Sequence, residues 1–168
     1  MKKINPNSIF FTILFFAFAS IIMFGNSGKH KPDINKRNTV AEYDSVKAKK
    51  LGADKYGMKR YVVAFLKSGP YVETDKEKAT ALQKAHMANI GRMANEGKLV
   101  LAGPFINGGE YRGIYIFNVE TIEEAEALTN TDPAVQAGAL IMELKMWYGS
   151  AALMEVTEIH NSIAEENP

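Results

Sequence analysis

The sequence has no cysteine. That excludes disulfides, thiolate metal ligands and a lipid-modified cysteine. It leaves the compartment open, because a cysteine-free fold works in oxidising and reducing surroundings alike. An excess of one charge is also lacking: 20 Lys and Arg face 19 Asp and Glu, for a net +1. So even a balance argues for neither nucleic acid nor an acidic partner, and no nucleic acid is expected. Histidine is scarce. His30 and His160 lie near the two ends, and only His86 lies in a patterned region. One core histidine without cysteine has no metal-ligand spacing, so no metal and no other cofactor is expected. "NGGE" (107–110) leads into no helix start, which excludes a phosphate loop. Internal repeats and low-complexity tracts are absent as well.

What is present begins with one long apolar run. Lys2 and Lys3 precede an uncharged stretch of 16 residues from Ile9 to Phe24. A positive start followed by an apolar core is the pattern of an export signal. Ala17-Phe18-Ala19 fits a small-x-small cleavage site, although cutting there leaves an apolar new terminus, "SIIMFGNSG". The run is short for a spanning helix. Residues 1–24 are therefore read as a signal peptide, with an uncleaved membrane anchor as the alternative. The mature protein is expected outside the cytoplasm, periplasmic or secreted. Any membrane contact is expected only through the N-terminal part of the chain, ahead of the folded domain.

Residues 25–57 read as a basic polar linker. "GNSGKHKPDINKRN" is rich in Gly, Pro, Asn and Lys, a composition of loops. From Lys29 to Arg60 ten Lys and Arg stand against four acids. That excess suits a solvated tether, or a segment resting on an anionic membrane surface. "TVAEYDSVKAKKLG" predicts a short helix ending at Gly52, with Val40, Tyr43 and Val46 along one side.

Residues 58–153 carry the pattern of a folded domain. "KRYVVAFLK" (59–67) is apolar at both parities, which predicts a strand buried on both faces. Thr74 with Glu77 predicts a capping box opening a helix that runs to Glu96, and Gly97 is its stop. "KLVLAG" (98–103) and "YRGIYIFNV" (111–119) predict strands joined by an Asn-Gly-Gly turn. Thr121 and Glu124 repeat the box for a second helix. Asp132-Pro133 predicts a further short turn of helix, with Asp132 as its cap. "ALIMELKMWYG" (139–149) alternates as a last strand. The remainder, 154–168, is a polar tail, expected to lie over the surface or over a partner. Strand, helix, strand, strand, helix, strand is an α+β, ferredoxin-like order. Two helices cover one face of such a sheet. The apolar residues left on the other face predict a homodimer in which two sheets meet.

The stretches "AHMANIGRMANEGKLVLAGPF", "RGIYIFNVET" and "TDPAVQAGALIMELKMWYG" resemble the YCII-related (YciI-like) family, over about residues 58–153. The resemblance implies the ferredoxin-like dimeric α/β barrel. It also implies an active pair of one His and one Asp, which fall on His86 and Asp132. At least one relative eliminates chloride from a chlorinated aromatic ring. Relatives are commonly cytoplasmic, so the apolar start, the linker and the tail are departures.

Two readings fit His86. A helix turns 100° per residue, so Ala79, Leu82, His86, Ile90 and Met93 form one stripe, with Met87 and Ala94 beside it. In one reading the imidazole is simply packed in the core. In the other it lines a pocket between helix and sheet as a general base. Asp132 then fixes its tautomer; otherwise Asp132 only caps a helix. Gly103, Pro104 and Phe105, at the end of the second strand, and Trp147 and Tyr148 are further pocket-lining candidates. Two functions follow: a cofactor-independent lyase or isomerase acting on a small organic molecule, or a non-catalytic dimer that binds a small ligand or an envelope partner.

Overall fold

Strand β1 (Met58–Ser68) pairs along its whole length with β4 (Leu140–Ser150) and on its other edge with β3 (Tyr111–Phe117). Strand β2 (Leu99–Pro104) completes the sheet, in the order β2-β3-β1-β4, all neighbours antiparallel. The computed structural model describes residues 42–166. The apolar run 9–24, most of the linker and His30 lie outside the described residues. Among the described residues no helix is long and apolar enough to cross a membrane.

The connections follow the patterning. Helix α1 (Ser45–Leu51) is capped by Asp44 and closed by Gly52 in the left-handed region. Helix α2 (Lys76–Asn95) links β1 to β2. Its cap is Asp75 rather than the expected Thr74: the Asp75 carboxylate accepts the N–H groups of Glu77 at 2.9 Å and Lys78 at 3.1 Å. A carboxylate also complements the positive end of the helix, and Glu73 in turn accepts the Asp75 N–H. Helix α3 (Ile122–Thr129) starts with the predicted Thr121–Glu124 box. Helix α4 (Pro133–Gln136) is one turn, capped by Asp132. The α+β architecture with a four-stranded antiparallel sheet is that of the ferredoxin-like arrangement.

Alternation along the strands sorts the core. Val62, Ala64 and Leu66 of β1 face the helices with Leu99, Tyr115 and Phe117, and meet Met93 of α2 and Ala125 of α3. Met93 and Phe117 are fully buried. Each such side chain contributes about 1.5–3 kcal/mol relative to leaving it in water.

The opposite face differs from the expectation. A 3-10 turn (Ala151–Glu155) folds back after β4 and lays Leu153 and Met154 on Tyr61, Val100 and Ile116. The tail then forms helix α5 (Val156–Ile163), which packs against the 3-10 turn and β2. Part of the face that two helices leave open is thus covered by the chain itself. The physical reason is the apolar pair Leu153-Met154, at the boundary between domain and tail, with a ready apolar surface beside it.

Candidate active site

His86 lies in the third turn of α2, on the side turned toward the sheet, and is only 9% exposed. Asp132 stands between α3 and α4 and is fully buried. Its carboxylate meets Nδ1 of His86, at 2.8 Å from one oxygen and 3.0 Å from the other. The oxygen at 3.0 Å also accepts the Ala134 N–H at 2.9 Å. The capping role and the pairing role therefore coexist in one side chain. An acceptor-only carboxylate so close holds the proton on Nδ1 and leaves Nε2 as the free nitrogen.

Nε2 faces Tyr115, whose hydroxyl lies 3.3 Å away. The two rings stack with centroids 6.4 Å apart. Burial, together with the nearby charge of Asp132, pushes the Tyr115 phenol up from its ordinary value. It stays protonated through the physiological range and acts as a hydrogen-bond donor.

His86 and Tyr115 line a cavity of about 840 Å³ between α2 and the sheet. That is ample for a small organic molecule. Leu66, Leu82, Met87, Ile90 and Leu140 supply apolar wall; Gln83, Arg112 and Glu73 are polar groups on the lining. The floor is made where two loops nearly touch. Gly69 donates to Ala139 O at 2.8 Å, and a Cβ on Gly69 would strike the carbonyl of Gly138. Only glycine allows that approach.

Of the residues singled out from the sequence, His86 and Asp132 are brought together across 46 positions. Gly103 and Pro104 line the cavity. Phe105 does not: it is 45% exposed, past the strand end, with its N–H on Arg112 O. Trp147 is on the opposite face, 5.8 Å from Tyr61. Tyr148 bonds Asp54 at the far end of β4. The parity of β4 accounts for Trp147, because the residues that face the helices are Leu140, Met142 and Leu144.

The sequence reading passed over Tyr115, Arg112 and a polar clamp behind the pair. In the clamp, Arg92 donates to Asn89 Oδ1 and to Thr131 Oγ1, each at 2.9 Å. It ties α2 to the residue before Asp132 and so sets the spacing between His86 and its carboxylate. Asn89, one turn beyond His86, was the available signal: a buried amide on an apolar face needs partners. Among the described residues no three His, Asp or Glu side chains converge as metal ligands.

The family model for the YCII-related domain matches residues 61–148, just over half of the chain. The chain belongs to the YCII-related domain family. The match runs from Tyr61 in β1 to Tyr148 in β4, so both members of the buried pair fall inside the family domain. Among solved structures the chain is similar to 5-chloro-2-hydroxyhydroquinone dehydrochlorinase from Burkholderia phenoliruptrix, in complex with 2,5-dihydroxybenzoquinone. The two are 18% identical, with a TM-score of 0.40, over 53% of this chain and 93% of that one. No curated protein matches the sequence.

Proposed function

We propose that this chain is a lyase- or isomerase-type enzyme in which His86 moves a proton on a small organic molecule, by a step that calls for no cofactor. One observation carries the reading. A fully buried carboxylate occupies Nδ1 at 2.8 Å, and the other ring nitrogen is left beside the cavity. Nε2 takes a proton from a carbon or oxygen of the substrate. Asp132 then faces the imidazolium that forms and stabilises it. The electron pair released from a C–H bond moves toward a neighbouring carbonyl oxygen; the Tyr115 hydroxyl, freed from Nε2 once that nitrogen is protonated, donates to it. Return of the proton elsewhere completes an isomerisation; departure of a group from the adjacent carbon completes an elimination. Proton transfer by a positioned base is worth about 10²–10⁴-fold in rate.

The test is hydrogen–deuterium exchange. The full chain is incubated in D₂O with a panel of small carbon acids, and loss of the C–H signal is followed by NMR. The wild-type protein is expected to exchange at least one of them. His86→Gln should abolish that exchange, Asp132→Asn should slow it about 10²–10⁴-fold, and Tyr115→Phe should slow it less. If no carbon acid exchanges faster with the wild-type protein than with His86→Gln, the cavity belongs to a binding module.

The setting we propose is extracytoplasmic, supported by Lys2 and Lys3 ahead of the uncharged run Ile9–Phe24. We also propose a homodimer through the sheet. Its support is the stretch that Leu153 and Met154 leave open, where Ile141 is 51% and Trp147 40% exposed. Mass spectrometry and light scattering on protein isolated from its cells test both. A cytoplasmic chain starting at Met1 sinks the first, and a monomer at micromolar concentration sinks the second.

A further inference from the structure

One charged side chain on the cavity lining is unused by the chemistry above. Arg112 lies in β3, where the pairing with β1 slips: Leu66 is opposite Gly113, but Lys67 is opposite Tyr111. Arg112 is the extra residue of a β-bulge. Without it, Tyr111 and Gly113 would share a face. With it, Tyr111 packs edge-on against Phe65 on the far face, while Arg112 joins Gly113 and Tyr115 around the cavity. Bulges re-aim side chains in this way, and they are over-represented beside functional sites. The backbone there is firmly held: Arg112 O accepts the Phe105 N–H at 2.9 Å, and a Cβ on Gly113 would collide with Gly103 O.

Among the described residues the guanidinium makes no ion pair, whereas Lys67 and Arg92 both have partners. The other charge on the lining, Glu73, is already engaged by the Tyr71 hydroxyl at 2.6 Å and the Asp75 N–H at 3.0 Å. Beside His86, the buried charge of Asp132 disfavours an anion. The lining thus combines an arginine without an ion-pair partner among the described residues, the His86–Asp132 pair and apolar wall.

We propose that Arg112 anchors a small organic acid, a carboxylate on an apolar body. The carboxylate sits on the guanidinium fork, which matches its geometry. The body lies along Leu82, Met87 and Ile90, and the uncharged end reaches Nε2 of His86. Only this last placement rests on the proton-transfer reading; capture of the acid does not.

The full chain is titrated calorimetrically with benzoate, phenylacetate and cyclohexanecarboxylate, and with the matching uncharged alcohols. At least one acid is expected to bind about tenfold or more tightly than its alcohol, the worth of a charge-assisted hydrogen bond. Arg112→Gln should erase that preference and leave the alcohol's affinity as it was, which shows the cavity intact; Arg112→Lys should keep part of it. Binding of acids and alcohols alike, no binding of any acid, or a preference that survives Arg112→Gln overturns the proposal. Acid capture that depends on Arg112 in a protein with no exchange activity leaves this proposal standing and removes only the proton-transfer reading.

Discussion

The two faces of the sheet use similar residues to different ends. On the helix side, Val62, Ala64, Tyr115, Phe117 and Met93 are 2% exposed or less, and a carboxylate lies among them with no exposure at all. On the other side a smaller cluster, Tyr61, Val100 and Ile116, is roofed by Leu153 and Met154. Beyond that roof the strands carry Lys67, Glu143 and Lys145 in a surface ladder, with Nζ–O distances of 2.8 and 2.7 Å to Glu143. Both faces therefore contain a carboxylate held close to a nitrogen group. Only on the helix side is such a pair withdrawn from water, and only there does it hold one proton in one place. Charges in water attract weakly and are screened by salt. A dry pair is costly to build and costly to break. The difference in cover decides which face can hold chemistry.

The largest effect should come from breaking the dry pair. His86→Ala leaves the Asp132 carboxylate buried without its partner, and about 3–5 kcal/mol of stability should be lost, read from urea unfolding at neutral pH. A loss below about 1 kcal/mol, the worth of an ordinary hydrogen bond, would mean that the carboxylate finds another partner, and the contrast between the faces would weaken.

Next come the two apolar clusters. Met93→Ala, at a fully buried position, should cost about 2–5 kcal/mol. Leu153→Ala, at a half-buried one, should cost about 1–2 kcal/mol, since less area leaves water. Equal losses in parallel denaturation curves would show that the roofed face is built as tightly as the helical one.

The smallest effect belongs to the surface ladder. Hydrogen bonds from Lys145 and Lys67 pull Glu143 down to about 2 from its ordinary 4.5. A lowered carboxylate stabilises the fold above its unfolded value, and the benefit fades as pH falls from 4.5 toward 2. Solvent screening keeps it small. Melting curves between those limits should show Glu143→Gln slightly less sensitive to acid than the wild-type protein. A large change at neutral pH would contradict the comparison.

Much of this was legible in the residues. The Thr121–Glu124 box, the Asp132-Pro133 start and the left-handed Gly97 stop are local devices, and each is found where the sequence put it. The two-sided burial expected of β1 holds fully on the helix face and, on the other, only at Tyr61, with Val63 and Phe65 half-buried. The misses share a cause. Thr74 lost the cap to Asp75, one residue away, because a carboxylate was there to compete for the same N–H groups. Trp147 and Tyr148 have the chemistry of pocket aromatics, but strand parity and the far end of β4 place them elsewhere. Tyr115 and Tyr111 are indistinguishable as letters in a strand; the bulge at Arg112 sends one to the cavity and the other to the opposite face.

By itself, then, the sequence determined the elements, their ends and their order, because capping, turn chemistry and periodicity act over one to four neighbours. It also determined that His86 sits on the inner face of its helix. That Asp132 should be its partner came from family resemblance and not from spacing. Tertiary structure alone decided the 2.8 Å contact, the Tyr115 hydroxyl at 3.3 Å, the bulge that brings Arg112 to the cavity lining and the self-made roof on the second face. These depend on strand register and on the docking of α2 against the loop before α4. Registers are set by many weak contacts distributed over the whole sheet, and no short stretch of residues contains them.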